Sequence, residues 1–143
     1  MKFSEIDQQS WGELQPYLDT CLVPVTGLTG LEQPYEVVIA LEKLRDMMDL
    51  VEIPFKGRIV TYPSFQYGRE EISDYINEIC HNVKRSGFTY VIVISADVEL
   101  AGERLNGADL ILDSGVFTGF SEDSKGRAVH EKIEGMWREG HII

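Results

Sequence analysis

Three carboxylates follow predicted strands and could hold a hard divalent cation. Glu32, Asp97 and Asp113 are oxygen ligands of the kind that suits Mg²⁺ or Mn²⁺. The metal is assigned to Glu32 and Asp97, and Asp113 is a further ligand or the base that activates a metal-bound water for hydrolysis. A structural interpretation competes with this one, because Asp97 could cap a helix and Asp113 could order its loop through Asx-turn hydrogen bonds.

A short glycine-bearing segment, Gly27-Leu28-Thr29-Gly30, is a second candidate site. Backbone amides in such loops can bind an anion. The segment lacks the Gly-Lys-Ser/Thr of a P-loop and the third glycine of a dinucleotide-binding fingerprint. Glu32 and Glu36 would also repel a phosphate. A simple turn is therefore the alternative interpretation.

The third candidate is the aromatic run Tyr62, Phe65 and Tyr67. Aromatic side chains in a loop can anchor a partner, or they can fix the loop onto its own core. If they anchor a partner, a protein or small molecule contacts a surface shared by the loops that follow the strands. The residues predicted to form that surface are Gly27, Gly30, Ser64, Phe65, Tyr67 and Ser95.

The remaining reactive residue types form no known catalytic pattern. His81, His130 and His141 stand outside the usual metal-binding spacings, and we expect them at or near the surface. No serine occupies a Gly-x-Ser-x-Gly elbow. Cys21 and Cys80 lie within apolar patterns and are predicted to be buried free thiols, as in a reducing cytoplasm.

Length and charge limit the classes of function. The chain has 143 residues, which fits one domain spanning 1–143, and a formal net charge of −11. This balance argues against nucleic-acid binding and against docking on anionic membranes. The N-terminus lacks the apolar region of a signal peptide, and no apolar run approaches the length of a membrane span. We therefore expect a cytoplasmic protein.

The elements that must position these residues alternate between strand and helix. Strands are predicted at 20–25, 58–62, 90–94 and 110–112, and helices at about 33–49, 69–86, 98–105 and 121–138. In the first of these helices the inward stripe is predicted to be Val37, Leu41, Leu44 and Met48. A short or kinked helix is expected within 11–18, with Ser10 and Glu13 as its capping box.

This alternation predicts an α/β fold, a three-layer αβα sandwich with a mainly parallel sheet of about four strands. The segment 90–94 is apolar throughout, which is typical of a central parallel strand. The expected strand order is second, first, third, fourth. Ligands of such sheets bind beyond the carboxyl ends of the strands, where all three candidate sites would lie.

Several stretches resemble the small YpiF-like proteins of Bacillus and its relatives. They are 18–25 (Leu-Asp-Thr-Cys-Leu-Val-Pro-Val), 54–58 (Pro-Phe-Lys-Gly-Arg), 62–67 (Tyr-Pro-Ser-Phe-Gln-Tyr), 87–90 (Gly-Phe-Thr-Tyr) and 94–97 (Ile-Ser-Ala-Asp). The resemblance covers roughly residues 10 to 115. It implies a cytoplasmic domain of unknown function and supplies no activity.

The same stretches also resemble a shortened creatininase, a metal-dependent amidohydrolase with an α/β fold. An apolar strand precedes Glu32-Gln33, but Pro34 stands where that family has a ligand histidine, and Asp97 stands where it has another. The resemblance thus implies Glu32 as a ligand carried over and Asp97 as a substituted one. Two carboxylates without histidine favour weak Mg²⁺-like binding over a catalytic zinc site, which needs three protein ligands.

Two hypotheses follow from these patterns. The first is a non-catalytic domain that binds a protein or small-molecule partner at the carboxyl ends of the strands, with no cofactor. The alternative is a residual creatininase-like amidohydrolase with a weakly bound divalent metal. Either is compatible with a homo-oligomer, since small sheets with exposed edges often pair.

Overall fold

A parallel sheet organises the computed structural model, which describes residues 1–66, 72–100, 105–115 and 119–140. Within these residues the sheet has four strands, β1 (Thr20–Val25), β2 (Ile59–Thr61), β3 (Tyr90–Ser95) and β4 (Leu110–Leu112). Their order is β2-β1-β3-β4, with every pair parallel. The predicted α/β class and strand order are confirmed.

Helices cover both faces of this sheet. They are α1 (Gln8–Leu14), α2 (Pro34–Glu52), α3 (Ile72–Arg85) and α4 (Glu122–Gly140), and a 3₁₀ turn (Phe3–Glu5) precedes them. Helices α1 and α3 pack on one face, around Cys21, Val23 and Val91. Helices α2 and α4 pack on the other, around Leu22 and Ile92. The predicted three-layer sandwich is therefore confirmed, and none of the described helices is long and apolar enough to cross a membrane.

Both central strands are buried along their whole length, as the uninterrupted apolar run of β3 predicts. All six residues of β1 and all six of β3 are buried, because side chains alternate between two covered faces. Each fully buried Val, Leu or Ile contributes about 1.5–3 kcal/mol through burial. The sheet thus supplies a rigid base for the loops at its edges.

Helix α4 is fastened to the amino ends of β1 and β2. The indole Nε1 of Trp137 donates a hydrogen bond to Oγ1 of Thr20 at 3.0 Å. The guanidinium of Arg58 lies 3.9 Å above the Trp137 ring, and it donates two hydrogen bonds to Asp19. These contacts join the last helix to the first strand.

The N-terminal helix begins earlier than the sequence pattern indicates. Asp7 is its N-cap: its Oδ1 accepts from the Ser10 amide at 2.8 Å, and its own amide donates to Oγ of Ser10 at 3.0 Å. The predicted capping box of Ser10 and Glu13 is wrong, because Ser10 is the third helical residue rather than the cap. The helix ends at Leu14, before Pro16.

The predicted inward stripe of α2 is wrong at Leu41, which is 39% exposed. Leu44 and Val51 are buried, so the helix contacts the core through its middle and its C-terminal half. Pro34 is its first residue, and the Gln33 amide donates to the Glu36 side chain at 3.0 Å. The N-terminal half of α2 therefore extends past the edge of the core.

The segment after β3 differs from the helix predicted at 98–105. Residues 98–100 are not helical, because the amide of Leu100 donates to Oδ2 of Asp113 at 2.8 Å instead of to a helical carbonyl. Residues 101–104 lie outside the described residues, as do 69–71 of the helix predicted at 69–86.

Candidate functional site

The loops after β1 and β3 meet beyond the carboxyl ends of the strands. We call this end of the sheet its carboxyl edge. The Gly27 amide donates to both carboxylate oxygens of Asp97, each at 3.1 Å. Oγ of Ser95 donates to Asp97 at 3.2 Å and accepts from the Val98 amide at 3.1 Å. A Cβ on Gly27 would lie 2.7 Å from Cγ2 of Val98, so only glycine fits this approach. The structure thus brings together three predicted site residues, Gly27, Ser95 and Asp97.

Glu32 closes its own loop. Its carboxylate accepts from the amide and the hydroxyl of Thr29, both at 2.6 Å, and from the Gly30 amide at 3.1 Å. The Thr29 hydroxyl, followed by the Thr29 amide, lowers the pKa of Glu32 below its ordinary value. Gly30 has a φ of +93°, which a side chain would strain. Glu32 is therefore an ionised acceptor for backbone amides.

These contacts explain the glycine segment, the second candidate site. The amides of Gly27, Thr29 and Gly30 do bind anions, but the anions are the carboxylates of Asp97 and Glu32 from the same chain. An incoming phosphate or carboxylate would have to displace these partners. The arrangement is that of an ordered turn.

Asp113 is buried at the end of β4 and binds the segment that follows β3. Its Oδ2 accepts from the Leu100 amide. All three carboxylates predicted to take part in metal binding thus accept hydrogen bonds from backbone amides. In the part of the chain that the structure describes, no three His, Cys, Asp or Glu side chains are grouped to hold a metal ion. A metal at Glu32 and Asp97 remains a prediction.

The aromatic run packs onto the core over its described part. The Phe65 amide donates to the Pro24 carbonyl and its carbonyl accepts from the Thr26 amide, both at 2.9 Å, so the run continues the pairing of β2 with β1. The rings of Phe65 and Tyr62 pack against the buried cluster under α3. Ser64 is half-buried between them. Tyr67 lies outside the described residues.

Two polar residues at this edge, Thr26 and Gln66, lie outside the predicted set of site residues. Oγ1 of Thr26 donates to Oε1 of Gln66 at 2.9 Å, which joins the loop after β1 to the aromatic run. Thr26 is buried, and its position directly after an apolar strand is the signal that could have indicated a role in ordering the loop. Neither residue type alone points to chemistry.

The cysteines and histidines contribute no reactive group to this edge in the described residues. Cys21 and Cys80 are buried free thiols, as predicted, and burial raises both their pKa values. His130 stacks on Phe55 with ring centroids 4.9 Å apart, and its Nε2 contacts Glu134. His81 is exposed on α3, and His141 lies outside the described residues.

A comparison with known families decides where the chain belongs. A family model described as "Protein of unknown function (DUF2487)" matches residues 9–138. The chain is a member of the DUF2487 family. The match spans all four strands of the described sheet and agrees with the resemblance to YpiF-like proteins. No curated protein and no solved structure matches the chain.

Membership of the DUF2487 family gives no support to the creatininase resemblance. Nothing in the family match connects this DUF2487 chain with an amidohydrolase. In the structure, Pro34 begins α2 and Asp97 binds the Gly27 amide, at the two positions where that resemblance expects ligand histidines. The function must therefore be argued from the surface of the domain.

A largely exposed apolar surface of the described residues lies on α2 and its C-cap, on the side opposite the core contacts of the helix. We call this surface the α2 outer stripe: Tyr35, Val38, Ile39, Glu42, Asp46, Asp49 and Ile53. Four of its members are apolar and largely exposed, namely Tyr35 (66%), Ile53 (65%), Val38 (52%) and Ile39 (48%). Sequence reasoning missed this stripe because it followed the inward periodicity alone.

Proposed function

We propose that this DUF2487 domain is a non-catalytic binding module whose α2 outer stripe receives a helix of a protein partner. The observation that carries the proposal is the exposed apolar group at the start of α2, formed by Tyr35, Val38 and Ile39. This group comes directly after the loop that connects β1 to α2. The contact surface is therefore adjacent to the carboxyl edge of the sheet. Exposed apolar clusters of this kind are typical of protein interaction sites.

The spacing of the stripe supports a helical partner. Tyr35, Ile39, Glu42, Asp46, Asp49 and Ile53 follow one another at intervals of four, three, four, three and four residues. This alternation keeps a row of side chains on one side of a helix, as in the seam between paired helices. At 1.5 Å per residue the row is about 27 Å long, which is enough for five turns of a partner helix.

The charges of the stripe indicate what the partner carries. Apolar residues stand at both ends of the row, and three carboxylates, Glu42, Asp46 and Asp49, stand between them. The ion pair of Asp46 with Arg45, at 3.3 Å, is exposed and therefore weak. A complementary helix would place apolar residues at its ends and Lys or Arg in its middle.

The same charges argue against a second copy of this chain as the occupant. An antiparallel pair of α2 helices centred on the carboxylates would set Glu42, Asp46 and Asp49 against the same three residues of the other copy. Like charges in register destabilise such pairs. Each copy also carries a formal net charge of −11, which adds long-range repulsion.

The internal hydrogen bonds at the carboxyl edge support the non-catalytic part of the proposal. Asp97 and Glu32 accept from Gly27, Thr29 and Gly30, so these carboxylates serve the loops. These bonds occupy acceptor sites of both carboxylates, which a general base or a metal ligand would have to share with them. The contacts described at this edge therefore favour the binding module over the amidohydrolase.

The test uses synthetic helical peptides that share one apolar pattern. One peptide carries lysines in its middle, a second carries glutamates there, and a third has the lysine sequence scrambled. Binding to the whole domain is measured by fluorescence anisotropy at two salt concentrations. We expect the lysine peptide to bind most tightly and to weaken as salt rises, because screening reduces attraction between exposed charges.

A matched pair of variants locates the contact. Tyr35→Ser removes an exposed ring from the stripe, and Tyr75→Ser removes an exposed ring (57%) from α3 on the opposite face. We expect Tyr35→Ser to weaken the lysine peptide about tenfold or more, as anchor residues do, and Tyr75→Ser to leave binding unchanged. Equal losses in both variants, or equal binding of the glutamate peptide, would overturn the proposal.

Photo-crosslinking inside the cells that express the protein identifies what contacts the α2 outer stripe. A benzophenone side chain is placed at Ile39 and, as a control, at the exposed Lys132 on α4. We expect an adduct from position 39 alone, with its partner peptide drawn from a basic amphipathic helix. An adduct with a second copy of this chain, or with a segment that is not basic, contradicts the proposed occupant.

A further inference from the structure

A pocket with aromatic walls lies on the face of the sheet opposite α2. It has a volume of about 220 Å³ and opens between the N-terminal 3₁₀ turn, α1 and the β2 edge. Eight residues line it, of which four are aromatic, two aliphatic and two polar: Phe3, Trp11, Tyr62, Phe88, Ile6, Val60, Asp7 and Gln8. None of these belongs to the α2 outer stripe, so the pocket is independent of the proposed function.

The aromatic rings meet around Phe88 in different orientations. The Trp11 and Phe88 ring centroids are 5.7 Å apart and the planes are tilted by 36°. The Tyr62 and Phe88 centroids are 5.5 Å apart and the planes stand at 87°. Together the rings give the pocket a curved aromatic wall. Phe88 itself is buried, so Phe3, Trp11 and Tyr62 are the rings that a ligand can contact, and the face of an aromatic ring attracts cations.

We propose that this pocket binds the quaternary ammonium group of a small solute. A trimethylammonium group presents methyl groups to the rings and spreads its positive charge over them, which is the chemistry that aromatic cages recognise. It donates no hydrogen bonds, so it needs no row of acceptors. The lining also carries acceptors, at Asp7, Gln8 and the Tyr62 hydroxyl.

Asp7 supplies negative charge at the pocket. Hydrogen bonds from the amide and the hydroxyl of Ser10 hold the pKa of Asp7 below its ordinary value, so the side chain is ionised at neutral pH. It also offsets the partial positive charge at the start of α1. The ammonium of Lys2, the residue before Phe3, is engaged by Glu52 at 3.3 Å. The net charge of −11 favours a cationic ligand as well.

The size of the pocket limits the ligand. At 220 Å³ it is smaller than the pockets of about 300–1,000 Å³ that enclose drug-sized molecules. It could hold about seven waters at roughly 30 Å³ each. A trimethylammonium head with a short tail, as in choline, fits this space. A nucleotide or another large cofactor exceeds this volume.

Calorimetric titration of the whole domain tests the role of the positive charge. Choline is compared with 3,3-dimethylbutan-1-ol, which has the same shape but carbon in place of nitrogen. We expect choline to bind at least about tenfold more tightly, since several rings each favour a cation. Equal affinities would show a merely apolar pocket, and no binding of choline would remove the site. Either result overturns the proposal.

Ring substitutions test the site itself. We expect Trp11→Leu to weaken choline about 5- to 30-fold. Because Trp11 also packs on the core, the decisive pair is Tyr62→Leu against Tyr62→Phe. The phenylalanine keeps the ring face and should bind choline within about twofold of wild type, whereas the leucine should lose affinity. If Tyr62→Leu and Tyr62→Phe bind choline with equal affinity, the proposal is contradicted.

Two further measurements complete the test. Asp7→Asn keeps a cap acceptor but removes the charge, and it should weaken choline at low salt and much less at high salt. Sedimentation with phosphatidylcholine vesicles distinguishes a free solute from a lipid headgroup. We expect no cosedimentation, and binding to vesicles without binding to free choline would overturn the assignment to a small solute.

Discussion

At the scale of single residues, the carboxylates at the strand ends act as fixed partners for backbone amides. Glu32 serves the loop from Thr29 to Gly30, and Asp97 joins Gly27 to the segment after β3. Hydrogen bonds to an ionised acceptor are stronger than those between neutral groups. Charged groups at the edge of a sheet are therefore weak evidence of catalysis unless their hydrogen-bond partners are known.

Replacing Glu32 tests this structural role. Glu32→Gln should destabilise the domain at pH 7, because the amide loses the charge that Thr29 and Gly30 stabilise. The pKa of Glu32 is lowered on folding, so its contribution is present above its ordinary pKa and lost as pH falls through the lowered value. Urea unfolding should show a difference between variant and wild type at pH 7 that shrinks toward pH 3. Glu42→Gln, on exposed α2, is the control and should differ little at either pH.

The buried thiols give a second residue-scale prediction. Burial raises the pKa of Cys80 to about 11 and that of Cys21 still further, from an ordinary value of 9.0. Neither thiol should react with a disulfide reagent at pH 8 until the protein unfolds. Above pH 9 the unfolded chain releases these protons and the folded chain keeps them, so stability should fall with rising pH. Rapid reaction of either thiol in the folded protein would contradict the buried assignment.

At the scale of elements, local patterns predict the sheet and the positions of the helices, while contacts between elements set the details. The apolar run of β3 predicts a central parallel strand because both its faces are covered. The periodicity of α2 does not predict which residues of its inward stripe are buried. The point along the helix at which the core ends depends on tertiary packing. The non-helical residues 98–100 depend on Asp113, which is distant in sequence. The Gly27 amide likewise binds Asp97, which no local pattern predicts.

The aromatic run after β2 provides a test at the element scale. Phe65 packs on the core, and its backbone pairs with the chain beside Pro24 and Thr26. Phe65→Ala should cost about 1–3 kcal/mol, because the ring is half-buried. For a domain of this size the thermal midpoint should fall by several degrees. An unchanged midpoint with loss of a binding partner would instead assign Phe65 to the contact surface.

Tyr35→Ala is the matched control for that experiment. Its ring is exposed on α2 and should affect the thermal midpoint little. If Tyr35→Ala lowers the midpoint as much as Phe65→Ala does, the ring on α2 is covered within the domain. The α2 outer stripe would then not be a free surface.

At the scale of the whole molecule, the net charge of −11 bears on both proposed ligands, the basic helix and the quaternary ammonium solute. It favours basic partners and cationic solutes, and it also draws metal ions weakly to the surface. A specific metal site must be distinguished from this general attraction. A specific site requires particular carboxylates, here Glu32 and Asp97, whereas general attraction does not depend on them.

A thermal-shift screen of metal-stripped protein makes that distinction. Zn²⁺, Mn²⁺, Mg²⁺ and Ca²⁺ are tested on the wild type and on the double variant Glu32→Gln/Asp97→Asn. A ligand at about 100 times its dissociation constant adds about 2.7 kcal/mol, which would raise the midpoint by several degrees. We expect no ion to produce a rise that depends on these two residues. A rise in the wild type that the double variant lacks would restore the metal-dependent hydrolase.

The hydrogen bond from Trp137 to Thr20 has a consequence for biosynthesis, because 117 residues separate its two ends. The first strand emerges from the ribosome long before the helix that covers its face. Until α4 follows, Leu22, Ile92 and Ile94 have no cover from Val129 and Ile133. A nascent chain that stalls before residue 122 would thus expose an apolar face of the sheet, to which chaperones can bind. The hydrogen bond of Trp137 forms only once α4 covers that face of the sheet.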